Sequence, residues 1–284
     1  MKAEKIYKQV REVMQIVNGQ QTSDGDGVQL TRMIGYQSLD MLDPFLLMDA
    51  FGSDKSLDYI GGFPAHPHRG FETVTYMLAG KMRHKDNAGN EGVIEEGGIQ
   101  WMSAGRGIIH SEMPEQQDGM LSGIQLWVNL PKEDKFMEPK YQEHDKTKIP
   151  YEQTENSSIR VIAGTTRDGT KGIIQNQKID PIYWDVKLEE DTLFSENIPQ
   201  SHNGFIFVLD GEIEIGEFRN SVKKGQLAVL DAGNNIEIWS KSHSRFIVVA
   251  GKPLNEPVAR GGPFVMNTRE EIQQAFTDYK TGQF

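Results

Sequence analysis

Along most of this chain apolar and polar residues take turns. Runs of such alternation are short and are separated by Gly, Pro, Asn or Asp, which is the signature of half-buried strands joined by turns. In the first half these runs are LTRMIG (30–35), FLLMDAFG (45–52), GFETVTYMLAG (70–80), KMRHKD (81–86), IQWMS (99–103), IIHSEM (108–113) and IQLWVNL (124–130), with the turn NAGNEG at 87–92. In the second half they are IRVIAG (159–164), IYWDVKL (182–188), FIFVLDGEIEIG (205–216), QLAVLDAG (226–233), NIEIWS (235–240) and RFIVVAG (245–251). Asp210-Gly211 between two apolar runs predicts a hairpin. Residues 131–158 are polar and carry three prolines, which predicts a linker or a long crossing connection. Only the C-terminal TREEIQQAFTDY has helical character, with Thr268 and Glu271 at capping-box spacing.

The two halves repeat. MLAGKMRH…EEGGIQWMSAGRGIIHSE and VLDGEIEI…KKGQLAVLDAGNNIEIWS share a rhythm of strand, Gly, strand, turn, Gly, strand, Ala-Gly, strand, with Gly80, Gly98 and Gly105 matching Gly211, Gly225 and Gly233. Repeated β-units of this kind predict an all-β protein of two cupin-type jelly-roll barrels with a short C-terminal helix. The 284 residues accommodate two domains at roughly 100–200 residues each. The boundary is expected at the start of the polar stretch, giving domains 1–135 and 136–284.

Two histidines one residue apart, His66 and His68, open the third run. In extended backbone both imidazoles point the same way, and Pro67 disfavours helix at His66. His110 and Glu112 form a second pair at the same spacing on another strand. Three imidazoles and a carboxylate from two strands can share one divalent ion, and that donor set suits a redox-capable iron-type site, with Zn, Cu and Ni also compatible with imidazole. On an octahedral ion two positions stay open. Glu72, four residues past His68, would share its face in an uninterrupted strand and is read as a fifth ligand, as a partner that orients a His ring or as a hydrogen-bonded core carboxylate, the last two being favoured. Aligning the repeat on its glycines places Asn197 and Pro199 opposite His66 and His68, and Ile238 and Ser240 opposite His110 and Glu112, so one metal per chain is expected, in the first domain. Gly105-Arg106-Gly107 reads as a tight turn, the alternative being that Arg106 lines the pocket mouth. His84 lies near the site without a face assigned to it, and His144 and His243 are expected in solvent.

FPAHPHRGFETVTYML, QWMSAGRGIIHSEMP, GIQLWVNLP and GGPFVMNTREEI, which together sample the whole chain, resemble the pirin family of the cupin superfamily. The resemblance implies a bicupin with a metal-binding first barrel and a degenerate second one, and Fe(II) on His66, His68, His110 and Glu112, with Zn, Mn, Ni or Cu as substitutes. It also implies an activity like that of quercetin 2,3-dioxygenase, opening a flavonol-like small aromatic substrate with O₂ and releasing CO. Glu112 is then the candidate catalytic base, and Phe51, Met102 and Trp127 are candidates for lining the slot. Other pirins are described as regulators that bind transcription factors or metabolic enzymes, so a metal- or redox-responsive partner of such a protein is the alternative. A non-oxidative cupin such as a sugar isomerase, using Zn or Mn, is a weaker third reading.

A formal net charge of −11 disfavours direct contact with nucleic acid or an anionic membrane and favours a basic protein partner. The absence of Cys excludes thiolate ligands, disulfides and a Cys nucleophile. No apolar run reaches membrane-spanning length and the N-terminus shows no signal-peptide core. The expectation is a cytoplasmic monomer.

Overall fold

The computed structural model describes residues 9–176 and 178–284. Among the described residues it is built from strands, with one α-helix, Arg269–Lys280, capped as the spacing of Thr268 and Glu271 predicts. The chain divides into two compact units, and each is discontinuous: Gln20–Lys148 with Leu254–Phe284, and Met1–Gly19 with Ile149–Pro253.

The first of these units holds a seven-stranded antiparallel sheet in the order Lys140–His144, Ile99–Ser103, Phe71–Ala79, Leu121–Asn129, Phe45–Ser53, Val28–Ile34, Gln20–Asp24. A four-stranded sheet in the order Phe63–His68, Ile108–Pro114, Lys81–Asp86, Glu91–Glu95 completes it. The hairpin Ala259–Gly261/Phe264–Met266 and the helix follow from the far end of the chain.

The other unit repeats this plan strand for strand. Its seven-stranded sheet runs Val13–Val17, Leu227–Leu230, Asn203–Asp210, Ser244–Gly251, Ile182–Leu188, Ser157–Ala163, Tyr151–Gln153, and its four-stranded sheet runs Leu193–Asn197, Asn235–Ser240, Glu212–Ile215, Asn220–Lys223. The jelly-roll reading of both halves therefore holds. A single cut at 135/136 does not describe the units. Val13–Val17 pairs with Leu227–Leu230, and Lys140–His144 pairs with Ile99–Ser103, so each edge strand sits on the side of the polar stretch or terminus opposite to a simple division. The stretch 131–158 is accordingly not a bare linker; it carries two strands, Lys140–His144 and Tyr151–Gln153. Their short, polar sequences hide the period-two signal because edge strands keep one side in solvent.

The expected Asp210-Gly211 hairpin is a corner instead. Asn203–Asp210 pairs within the seven-stranded sheet and Glu212–Ile215 within the four-stranded one, so Gly211 turns the chain between sheets. Its φ is +77°, and a Cβ there would stand 2.3 Å from the His243 carbonyl oxygen. Gly80 turns the corresponding corner of the other unit at φ +78°.

Candidate metal centre

The strand Phe63–His68 and the strand Ile108–Pro114 are antiparallel neighbours, with His66 opposite His110 and His68 opposite Ile108. Alternation then aims His66, His68 and His110 at one point. Their ring centroids are 4.5 Å (His66–His110), 4.7 Å (His66–His68) and 5.0 Å (His68–His110) apart. One nitrogen from each ring lies within 4.8 Å of the other two, a separation one ion can span.

The environment of the rings fits a metal. His66 Nδ1 lies 2.8 Å from the Pro64 carbonyl and His68 Nδ1 lies 3.4 Å from the Pro263 carbonyl. A ring that donates from Nδ1 offers the lone pair of Nε2 for coordination. His110 is 2% exposed and both of its ring nitrogens are buried with no hydrogen-bond partner. A buried imidazole without partners is costly unless something absent from the protein atoms satisfies it. Burial, with the neighbouring histidines adding to it, holds His68 at a pKa of about 3 and His110 well below the usual histidine range. Both are neutral at physiological pH, the form in which an imidazole can bind a metal.

Glu112, expected as the fourth ligand, lines the same cavity, but its carboxylate falls outside the group of ligand atoms that the three histidines form. The register shifts between His110 and Glu112, with the extra residue on the Phe63–His66 side, so the two keep the same face of their own strand. The Glu112 carboxylate is 4% exposed and accepts hydrogen bonds from Thr75 Oγ1 at 3.0 Å and Gln125 Nε2 at 3.3 Å. Burial raises its pKa, while His66 and the Thr75 hydroxyl pull the other way. Thr75 and Gln125, which hold this carboxylate, are absent from the sequence expectations; the available signal is a polar side chain on the inward face of an otherwise apolar strand.

Glu72 is on the other side. The turn at Arg69-Gly70 ends the strand of His68, and the next strand starts afresh at Phe71. Phe71, Thr73 and Thr75 share a face, and Glu72 points away from it, accepting a hydrogen bond from Ser103 Oγ at 2.5 Å. It is a buried core carboxylate, the third of the readings its position allowed, and not a fifth ligand, since it stands outside the histidine cluster. His84 is directed by its pairing, because its Cα lies opposite Glu112. It is 5% exposed, with Nε2 at 2.7 Å from Glu143 Oε2. Gly92 makes room for that pair: a Cβ there would be 2.5 Å from His84 Nε2.

A cavity of 740 Å³ opens onto His66, His68 and Glu112. Leu46, Phe51, Phe63 and Trp127 supply its apolar wall. Trp127 lies 5.3 Å from the His68 ring and 4.4 Å from that of Phe71, so an aromatic surface leads directly to the imidazoles. Arg32 also lines the cavity, with its charge held by Asp49 at 2.7 Å and Asp24 at 3.1 Å. Of the slot candidates, Phe51 and Trp127 line this cavity. Met102 packs instead with Ala104, Ile108 and Tyr141. Arg106 does not line it; it is exposed and bonded to Glu138 at 2.9 Å. Gly105 makes the turn, at φ +50°, where a Cβ would be 2.1 Å from the Met137 carbonyl oxygen.

Family models for Pirin and for the Pirin C-terminal cupin domain match residues 27–128 and 183–284. The chain belongs to the pirin family. It is 49% identical to a pirin-like protein of Caulobacter vibrioides over 97% of this chain and 99% of that one. It is 40% identical to the pirin of Homo sapiens, covering 94% and 91%. Among solved structures it resembles a quercetin 2,3-dioxygenase of Acinetobacter baumannii, with a TM-score of 0.88, 32% identity, and 97% and 99% of the two chains covered.

The positions in the other half that correspond to the site are read from its strand pairing. His84 opposite Glu112 corresponds to Ile215 opposite Ile238, counted from Gly80 and Gly211. His66 opposite His110 then corresponds to Glu196 opposite Ile236, and Ile198 takes the place of His68. The glycine alignment, which points to Asn197, Pro199, Ile238 and Ser240, is out of step by one residue ahead of Gly80 and Gly211 and by two residues after the Ala-Gly turn, because both connections differ in length between the halves. A lone carboxylate, Glu196, stands where the other half has four candidate ligands. Among the described residues, the one cluster of three potential metal ligands is His66, His68 and His110.

Proposed function

We propose that this pirin is an iron-dependent dioxygenase of the quercetin 2,3-dioxygenase kind. The observation that carries the reading is the convergence of three inward imidazoles, His110 among them without a hydrogen-bond partner, two of which, His66 and His68, line an aromatic-walled cavity with the volume for a flat three-ring ligand. The likeness to the Acinetobacter baumannii quercetin 2,3-dioxygenase supports it.

In this reading His66, His68 and His110 hold Fe(II), and Glu112 supplies the oxygen donor. When bound, the ion lowers the cost of ionising a coordinated flavonol hydroxyl and brings the flavonol and O₂ together. The protein's own part is to orient and to move a proton. Trp127, Phe51 and Phe63 hold an aromatic ring system flat and exclude water. Glu112, whose burial raises its proton affinity above that of an ordinary carboxylate, takes the 3-hydroxyl proton in its ionised form and returns it to the ring-opened product. Thr75 and Gln125 fix the carboxylate while it does so.

The test is CO release from quercetin under O₂ by iron-loaded protein, with metal content measured alongside. Stoichiometric iron and no CO would reject the dioxygenase reading. Turnover that persists in a metal-free His110→Ala variant would reject the mechanism.

A further inference from the structure

The segment after Pro263 gives the centre no ligand, yet it is fastened to the turn that follows His68. Arg69 and Gly70 form that turn. The Val265 N–H donates to the Arg69 carbonyl at 3.0 Å, and Gly70 approaches so closely that a Cβ would lie 2.0 Å from the Val265 carbonyl oxygen. The ammonium of Lys135, 1% exposed, donates to Gly70 O at 2.7 Å, Asn129 Oδ1 at 2.9 Å and Val265 O at 3.0 Å.

Arg69 itself is 3% exposed. Its Nη1 meets Asp278 Oδ2 of the helix at 2.6 Å, its Nε donates to the Arg106 carbonyl at 2.5 Å, and its guanidinium lies 4.2 Å from the centroid of the Phe284 ring. Gly70 N–H also donates to Gly105 O at 2.9 Å. One guanidinium thus joins three pieces of chain: the end of the His66/His68 strand, the loop that leads into the His110 strand, and the C-terminal helix. The same closing segment brings the Pro263 carbonyl to His68 Nδ1.

We propose that Asp278, acting through Arg69, is a positioning residue of the metal centre. It holds the Arg69 guanidinium between the helix and the 105–106 loop. In doing so it locks the turn that ends the His68 strand against the loop that leads into the His110 strand, and keeps the Pro263 carbonyl on His68, so that Nδ1 carries the proton and Nε2 is left free for the metal. Partners of this kind, which orient a ligand without touching the ion, commonly change metal affinity about 10–100-fold when removed. The inference rests on the reading that the three histidines hold a metal.

The probe is Co²⁺ binding to the full chain by chelator competition, in wild type, Asp278→Ala, Asp278→Glu and Ile272→Ala. Ile272 is 8% exposed on the same helix and packs in the cluster of Phe264, Met266 and Ala275, so its truncation loosens the helix without touching Arg69. The expected result is about tenfold weaker Co²⁺ binding in Asp278→Ala, recovery in Asp278→Glu, and wild-type affinity with a lowered melting temperature in Ile272→Ala. Wild-type affinity in Asp278→Ala, or equal losses in Asp278→Ala and Ile272→Ala, overturns the proposal. The second readout is the imidazole ¹⁵N spectrum of the metal-free protein, where His68 is expected as the Nδ1–H tautomer in wild type and as a mixture in Asp278→Ala. If wild type binds no Co²⁺ the metal reading falls, and the tautomer alone decides the brace; an unchanged His68 signal then overturns it.

Discussion

The two units share one strand order and fill it with opposite chemistry. In the unit of residues 149–253 the facing surfaces of the two sheets close over one continuous apolar cluster, with Trp184, Phe194, Phe246, Ile213, Ile215, Ile236 and Ile238 among its members. In the other unit His84, His110 and Glu112 stand where Ile215, Ile236 and Ile238 do here; His84 is paired with Glu143, Glu112 is held by Thr75 and Gln125, and His110 has no hydrogen-bond partner. The difference is instructive because backbone and topology are held constant. Ile236 contributes stability by burying hydrocarbon. His110, equally buried, contributes none in that way and carries the cost of two unpaired nitrogens. One copy of the scaffold is a core, and the other spends that stability on a site.

The comparison is broken most severely at His110. His110→Ala is expected to reduce bound iron from one per chain to background and to abolish flavonol-dependent CO release, while the melting temperature of the metal-free protein stays within a few degrees of wild type or rises. Metal analysis and calorimetry on the same preparation check this. Full iron content in the variant would show that the three imidazoles are not the ligand set.

The counterpart substitution acts the other way. Ile236 is 0% exposed, and Ile236→Ala removes three carbons from a close-packed core. Cavity-forming truncations of this kind cost about 2–5 kcal/mol. Denaturant unfolding of the second unit should show a loss in that range, with iron stoichiometry intact in the fraction that remains folded. A loss of iron without a loss of stability would mean that the two interiors are not independent in the way their chemistry implies.

Much of this contrast was legible in the chain. His66-Pro67-His68 and His110-Ser111-Glu112 announce themselves because a period of two needs only local extension to bring alternate side chains together. The pairing that makes the two pairs one cluster depends on strand order, which the duplication suggested and residue spacing alone does not give. The parity of Glu72 was lost because the Arg69-Gly70 turn resets the alternation, and a turn of two residues leaves no mark in hydropathy. The Asp210-Gly211 corner looked like a hairpin since both need a residue at positive φ; only the partners of the flanking strands separate them. Lys140–His144 was hidden by its polarity, although Glu143 from that strand reaches His84. The brace at Asp278 is 209 residues from Arg69, and nothing local connects them.

Acid sharpens the comparison further. The His68 pKa is about 3 in the fold against 6.5 for the free side chain, and His110 is shifted in the same direction. For a histidine depressed on folding, the unfolded chain binds the extra proton. Stability is therefore complete above the unfolded value and falls as pH drops below about 6.5. The slope approaches about 1.4 kcal/mol per pH unit for each such group and flattens near the folded value. Melting of the metal-free protein between pH 7 and pH 5 should show this loss. His110→Ala should reduce the slope, and Ile236→Ala should leave it unchanged.

Arg106 marks the bottom of the scale. It stands between two glycines in the turn that leads to His110, the place where an anion-binding arginine would be sought. Its side chain is 54% exposed and that of its partner Glu138 is 77% exposed. Exposed pairs of this sort contribute about 0–1 kcal/mol because solvent screens them and two long side chains must be ordered. The backbone does the structural work there: the Arg106 N–H donates to the Met137 carbonyl at 2.8 Å, and its carbonyl accepts from Arg69, and both contacts survive truncation of the side chain. Arg106→Ala should therefore change stability by about 0.5 kcal/mol or less, and should leave Co²⁺ affinity and the KM for quercetin at wild-type values. A several-fold rise in KM would place the guanidinium at the cavity after all, and the site would then extend beyond the wall formed by Phe51, Phe63 and Trp127.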